Sequence, residues 1–424
     1  MLKKLERFSA GSRLRRNIST TFGRQMLGAL VQFLIIIIIA RELGPVGNGI
    51  YALVILLPSM LVSLLNLGVA PATVFYVSRK DFDSAYVVVG NLRIALVISL
   101  LGIIVMLPIL WFWGGRVFPS VPITLLYIGL FSFPLTLLLS YLNAVFQGQE
   151  NFKVFNCVVL IPPCLNLFFI SFAIYVFDFS LSGAILSYFL SQLAGLVIVF
   201  VFLCRDGSLI KIIKNKLLLS LYIRGSLSYG CKMHLSNVLA FINYRADIFF
   251  VNIFLNPAAT GVYVIAVQIA ERIWMVSQAA STVLLPRLSA MQATPKARMA
   301  LTNKAFIVVS LMTAGLSGLV TIGLYWLLEP IFGDAYVNSW LVYIWLLPGV
   351  IAGAGARIYS NCIAAAGKPE WNMYVACVVV SINIIGNILL IPEHGIIGAA
   401  WATSIAYCCN AIFKVWLVKK TLYV

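Results

Sequence analysis

Apolar runs of about twenty residues, long enough to cross a hydrocarbon core, follow one another along nearly the whole chain, parted by short polar segments. The pattern predicts twelve spans. In the first half they fall at 22–40, 50–69, 86–113, 123–146, 154–177 and 181–203. In the second half they fall at 231–255, 261–285, 305–328, 340–366, 371–391 and 396–418. The longest connection, 204–230, carries Arg205, Lys211, Lys214, Lys216 and Arg224. Leu209, Ile210, Ile212 and Ile213 alternate there with lysines, as expected of a helix lying along the membrane surface. The predicted organisation is thus a first lobe at 1–203, a basic interfacial linker at 204–230 and a second lobe at 231–424.

The two halves repeat each other. Leu43, Pro45, Gly49 and Tyr51 recur as Leu255, Pro257, Gly261 and Tyr263, each 212 residues later in a chain of 424. Both copies close one apolar run and open the next. Ser182-Gly183-Ala184 likewise returns as Ile397-Gly398-Ala399. Six spans per half is an even number, so both halves begin on the same side of the bilayer. The expected fold is therefore all-α: a polytopic membrane protein whose two six-helix lobes are related by a pseudo-two-fold along the membrane normal.

Composition agrees with the pattern. The chain is 62% hydrophobic and 10% charged, against about 25% charged residues in ordinary soluble domains. Its net charge of +17 would suggest nucleic acid in a soluble protein, but the charge is segregated by loop. Twenty-two Lys and Arg, among them Arg15, Arg79, Lys153, Lys216, Arg287, Lys368 and Lys420, fall in one alternate set of segments. The opposite loops hold only Arg41 and Arg116. That asymmetry puts both termini in the cytoplasm, and no nucleic acid partner is expected. Residues 1–24 carry seven Lys or Arg and no cleavage pattern of small residues, which reads as a retained basic segment. The eight cysteines lack ligand-like spacing, so neither a disulfide framework nor a metal site is expected.

Ionisable side chains inside spans are costly and mark pathways or partners. Away from the span ends these are Arg93, Arg245, Asp247, Glu271, Arg272 and Arg357, with Arg24 at the border of the first span. Lys232 and Lys414 lie near span ends, where their ammonium groups can snorkel. Arg245 precedes the turn at Leu255 by ten residues and Arg272 follows Gly261 by eleven, so both sit about 15 Å deep. A pair across the helices, Arg245 with Glu271 or Asp247 with Arg272, would neutralise part of this group. Asp247 and Glu271 are either such structural partners or carboxylates for ion coupling. Arg24, Arg93, Arg245, Arg272 and Arg357 are candidates for binding an anionic substrate, because a guanidinium stays charged and grips phosphate oxygens in bidentate fashion. Arg93 and Arg357, with no acidic neighbour within a helical turn, are the foremost of them. Neither histidine suggests catalysis, and no cofactor is expected.

Several blocks, in this order and spacing, resemble the polysaccharide-transport and O-antigen flippase families of the multidrug/oligosaccharidyl-lipid/polysaccharide exporter superfamily. They are Ala40 to Pro45 with Gly49 to Ala52, Tyr244 to Asp247, Leu285 to Ser289, Gly367 to Pro369, and Ile391 to Ala400. The resemblance implies a bundle alternating access through a central cavity. Its implied substrate is an oligosaccharide repeat unit on undecaprenyl pyrophosphate, moved from the cytoplasmic to the outer leaflet of a bacterial inner membrane. Implied partners are that lipid-linked glycan, the phospholipid bilayer, and polysaccharide polymerase and chain-length proteins. Two rival readings differ in residues. A multidrug/cation antiporter would need unpaired carboxylates in its spans, and the first six contain none. A polysaccharide polymerase or glycosyltransferase would need a long outer loop or an acidic motif, whereas Glu42, Asp178, Glu329, Asp334 and Glu393 are scattered over short loops. The chain therefore reads as a transporter and not an enzyme.

Overall fold

The computed structural model describes residues 2–207, 216–291, 295–368 and 370–421. These residues form α1 (Leu2–Leu65), α2 (Val69–Ser78), α3 (Ser84–Val117), α4 (Ile123–Gly148), α5 (Phe152–Tyr175) and α6 (Leu181–Arg205). They continue as α7 (Lys216–Phe254), α8 (Pro257–Ile273), α9 (Met275–Ala290), α10 (Pro295–Phe332), α11 (Asn338–Ala365) and α12 (Glu370–Thr421). Among the described residues nine helical stretches are long and apolar enough to cross a bilayer. Two of them, Gly23–Leu65 and Glu370–Lys420, are 43 and 51 residues long, about twice what one crossing needs. Each breaks at a glycine with positive φ, Gly44 (62°) in α1 and Gly395 (59°) in α12. Helix α7 is too polar on average to be counted by hydropathy, since it carries Arg224, Arg245 and Asp247. With two doubled helices and α7, the described residues make twelve crossings of an all-α membrane protein.

The chain divides into two compact units. The first comprises Met1–Glu42, Val54–Gly115 and Val121–His234; the second comprises Leu43–Leu53, Arg116–Ser120 and Leu235–Val424.

In the first unit, contacts fix the reversal at Gly44. Asn156 Nδ2 donates to Thr21 Oγ1 (3.2 Å), and Tyr175 OH donates to Glu42 Oε1 (2.9 Å). The early part of α1 therefore runs alongside α5 in the same direction. Further on, Val54 lies against Gly129 and Val77 against Gly148, while the Tyr141 hydroxyl donates to the Asn66 carbonyl at 2.7 Å. The later part runs with α4, and α4 and α5 are opposed because only residues 149–151 join them. The sequence placed the end of the second span at residue 69. The helix instead breaks after Leu65, where Leu67 and Gly68 adopt left-handed backbone (49° and 67°), and resumes as α2 to Ser78.

The linker region differs as well. The proposed interfacial helix at 209–213 lies outside the described residues, but the chain is helical again from Lys216. The first turns of α7 are docked on the first unit through a buried polar knot. Tyr222 OH donates to Asn91 Oδ1 (2.7 Å) and lies 3.0 Å from Thr73 Oγ1, which also receives Asn91 Nδ2 at 3.0 Å. All three side chains are fully buried, so satisfying them among themselves avoids a desolvation penalty of about 1–3 kcal/mol per orphaned group. Gly90 leaves room for the Tyr222 ring, and Gly230 lets α7 meet the backbone at Gly68.

In the second unit, the reversal between α7 and α8 is built from a helix start. Asn256 accepts from the Ala259 N–H (2.9 Å), and Pro257 occupies the first turn, where its missing N–H costs nothing. The eighth span is interrupted at Trp274, where the helix restarts as α9. Helix α12 folds back on itself at Gly395: Asn383 meets Thr403, Gly386 meets Ala402 and Gly398 meets Leu390, an antiparallel series. Val375, Val379 and Ala406 fill the seam of this hairpin.

Candidate functional site

Inside the second unit α7 and α8 descend from the turn at Asn256, bringing residues ten to sixteen positions away to comparable depth. Arg245 and Glu271 meet across the two helices in a bidentate pair, Nη1 to Oε1 at 2.9 Å and Nη2 to Oε2 at 3.1 Å. Their side chains retain 32% and 27% exposure. Two residues along α7 is about 200° of rotation, so Asp247 faces the opposite way and is only 2% exposed. It pairs not with Arg272 but with hydroxyls. Tyr263 OH donates to its Oδ2 at 2.6 Å and Thr403 Oγ1 at 3.3 Å, while the Ile248 N–H donates to Oδ1 at 2.8 Å. Asn383 Nδ2 donates to Thr403 Oγ1, and Asn387 Nδ2 donates to the Asn383 carbonyl and Oδ1, extending a buried polar chain through α12.

On the other side of Arg245's helix lies a cavity of about 90 Å³. The cavity is lined by Asn243 and Tyr244 of α7, by Trp274 at the break between α8 and α9, by Gly353, Arg357 and Ser360 of α11, and by Tyr407, Asn410 and Lys414 of α12. The spacings 353, 357, 360 and 407, 410, 414 each trace one helix face. Tyr244, Trp274 and Tyr407 pack with ring centroids 5.3–6.3 Å apart and form an aromatic wall. Trp274 is held by its Nε1–H, which donates to the Val350 carbonyl at 3.0 Å. The Arg357 guanidinium lies 5.9 Å from the Trp274 ring, and Lys414 Nζ donates to Ser360 Oγ at 2.7 Å. Among the described residues no carboxylate lines the cavity.

The remaining candidates lie elsewhere. Arg272, next to Glu271, is exposed at the end of α8. Arg24 is half-buried in the first unit, with its guanidinium 5.9 Å from the Phe155 ring. Arg93 is exposed on α3, on the face that also exposes Val97, Leu100, Leu101 and Ile104. A face so apolar suits acyl chains, and an arginine about 14 Å from the start of α3 can snorkel towards headgroups. Sequence reasoning set Lys414 aside as such a snorkelling residue, yet it is inside the cavity beside Ser360. It also passed over Tyr407 and Asn410. The available signal was the polar stripe Asn410–Lys414 at a four-residue spacing in an otherwise apolar span. No cluster of three or more His, Cys, Asp or Glu able to hold a metal occurs among the described residues.

The family described as polysaccharide biosynthesis protein matches residues 14–292. A Shigella flexneri protein named "Putative O-antigen transporter" is 23% identical over 296 residues, 67% of each chain. An uncharacterised membrane protein of Methanocaldococcus jannaschii is 40% identical over 62 residues, which are 15% of this chain and 12% of that protein. Among solved structures, an inward-facing multidrug resistance MATE family transporter of the MOP superfamily has a TM-score of 0.70 at 14% identity. That match covers 92% of this chain and 93% of the other. The lipid II flippase MurJ, inward closed, has a TM-score of 0.69 at 17% identity, covering 95% of this chain and 87% of that one. At such identities the likeness carries the fold, and function has to be argued from the site.

Proposed function

The chain belongs to the polysaccharide biosynthesis protein family, and on that premise we propose that it is a flippase for lipid-linked oligosaccharide. Its cargo would be a repeat unit on undecaprenyl pyrophosphate, carried from the cytoplasmic to the outer leaflet of a bacterial inner membrane by alternating access. The observation that carries this reading is the charge balance inside the helices of the second unit. Glu271 is consumed by Arg245, and Asp247 is held by hydroxyls. Arg357 and Lys414 line a cavity that has no acidic residue among the described ones. Such a site attracts a diphosphate and repels a cationic drug. Guanidinium and ammonium N–H groups replace the water that the diphosphate loses on entering. Outward movement of two negative charges across 100 mV, inside negative, gains about 4–5 kcal/mol, so the field alone can favour export.

In this reading Arg357 is the principal cargo contact among the arginines of the second unit, with exposed Arg272 as an accessory contact. Arg245 is neutralised and braces α7 against α8. Asp247, secluded yet hydrogen-bonded, is the carboxylate that would sense an exchanged ion. The basic residues at the ends of α6, α7 and α12 support cytoplasmic termini. Polysaccharide polymerase and chain-length proteins would act after it on the exported unit.

Deleting the gene should trap lipid-linked repeat units in the inner leaflet and reduce surface glycan. Unchanged surface glycan in the deletion strain would sink the proposal. Robust resistance to ethidium or norfloxacin on overexpression would favour the drug-antiporter reading. Finished, unpolymerised units gathering on the outer leaflet would point to a polymerase.

A further inference from the structure

Helix α4 crosses the first unit without a charged residue, yet one of its faces is polar from mid-helix to its end. Ser132, Thr136, Ser140, Asn143 and Gln147 fall within about 80° of one another around the helix axis. Exposure rises along this face. Ser132 is buried, Thr136, Ser140 and Asn143 are half-buried, and Gln147 is exposed. The face therefore opens towards the α4–α5 connection, next to Lys153 of the basic set of loops. Helix α6 adds half-buried Tyr188, hydrogen-bonded to Thr136 and to Gln192 one turn along its own helix. Before Arg205 at its end, α6 too carries no charge.

The polar atoms on this face are only partly used. Ser132 and Thr136 donate to the Ile128 and Ser132 carbonyls (3.0 and 2.9 Å), which leaves their hydroxyl oxygens free to accept a further bond. Asn143 Oδ1 is buried and has no hydrogen-bond partner among the described residues. Such an acceptor is costly until something donates to it. The face lacks the cations that grip a phosphate and the carboxylates that grip a cation. Hydroxyls and amides beside an aromatic ring match a sugar, whose hydroxyls both donate and accept and whose C–H face is apolar.

We propose that the face of α4 from Thr136 to Gln147, with Tyr188 and Gln192 of α6, is a recognition subsite for the neutral sugars of the cargo. This subsite rests on the flippase reading and adds to it the part of the cargo that the cationic cavity does not recognise. Because a site that hydrogen-bonds a hydroxyl rejects an analogue lacking it, the face selects which repeat unit is accepted.

Full-length protein in nanodiscs is offered two probes: lipid-linked repeat units extracted from membranes of the native host, and sugar-free undecaprenyl pyrophosphate. The wild type should bind the first more tightly. Ser140→Ala, Asn143→Leu and Gln192→Leu should each weaken binding of the glycosylated probe about 3- to 10-fold, the scale of one lost hydrogen bond between neutral groups. Binding of the sugar-free probe should stay unchanged in all three. Thr124→Val, exposed on α4 outside this face, should leave both unchanged. Equal weakening of both probes, or of neither, would overturn the proposal, as would equal binding of the two by the wild type. Should Asn143→Leu fail to fold, Gln147→Ala at the exposed end of the face decides in its place. Trapped glycan in the deletion strain with undiminished binding in the variants would remove this subsite and spare the flippase reading. Selective loss of the glycosylated probe in the variants, with normal glycan export after deletion, would do the reverse.

Discussion

Gly49 and Gly261, equivalent positions in the two copies of one sequence block, pack backbone to backbone. A Cβ on Gly49 would fall on the Pro257 carbonyl and near the Gly261 nitrogen; a Cβ on Gly261 would fall on the Pro45 carbonyl and near the Gly49 nitrogen. Asn48 Nδ2 locks the crossing by donating to the Gly261 carbonyl at 2.9 Å. The contact is reciprocal, as expected when a repeated element meets its own copy across a local two-fold. Neither backbone can retreat without moving its helix start.

Gly49→Ala and Gly261→Ala should therefore each destabilise the protein by about 1–3 kcal/mol or more through overpacking. Gly315→Ala, where an added Cβ meets nothing within 4 Å, should be neutral or slightly stabilising. Thermal unfolding of the purified variants followed by size-exclusion fluorescence checks the ranking, and equal midpoints for all three would refute it.

The Arg245–Glu271 pair should behave as a unit. Removing either partner strands a half-buried charge, so Arg245→Met and Glu271→Gln are each expected to destabilise. The double variant should recover part of the loss. A coupling of about 1–3 kcal/mol is expected, between the values of exposed and fully buried pairs. A double-mutant cycle on unfolding midpoints measures it, and strict additivity would mean that the pair contributes nothing.

Asp247 should be more sensitive than its exposed neighbours. Asp247→Ala leaves the buried Tyr263 hydroxyl without its 2.6 Å acceptor, a cost of about 1–3 kcal/mol. Restoring balance with Tyr263→Phe in the same chain should recover stability but not transport, if Asp247 serves the transport cycle. Complementation of the deletion strain reads out transport separately from folding.

Gly395 turns the α12 hairpin at a φ of 59°, a conformation that costs other L-residues about 1 kcal/mol or more. Gly395→Ala should lower the unfolding midpoint. Gly395→Asn should lower it about as much, because asparagine tolerates the left-handed helical region but not the ψ of −141° found here. Unchanged midpoints in both variants would mean that the turn does not depend on this backbone conformation.

Much of this architecture was legible in the chain. Gly44-Pro45 and Asn256-Pro257 announce reversals because proline starts a helix and glycine or asparagine precedes it. Counting residues from the second reversal was enough to bring Arg245 level with Glu271. The breaks at Leu67–Gly68 and at Trp274 were hidden because no proline stands at either break to mark it. The cavity was harder still. Tyr244, Trp274 and Tyr407 are ordinary membrane residues one by one, and only packing of helices far apart in sequence brings them around Arg357. Lys414 illustrates the ambiguity directly: seven residues from a helix end, a lysine can reach water or turn inward, and distance along the helix does not choose between them.

The buried knot of Thr73, Asn91 and Tyr222 makes one stretch of peptide dispensable. Because the opening turns of α7 are already anchored to the first unit by hydrogen bonds and by the Gly68–Gly230 contact, covalent continuity between Gly207 and Lys216 is redundant for assembly. A chain encoded as two separate polypeptides, divided within that interval, should reassociate in the membrane into a working whole.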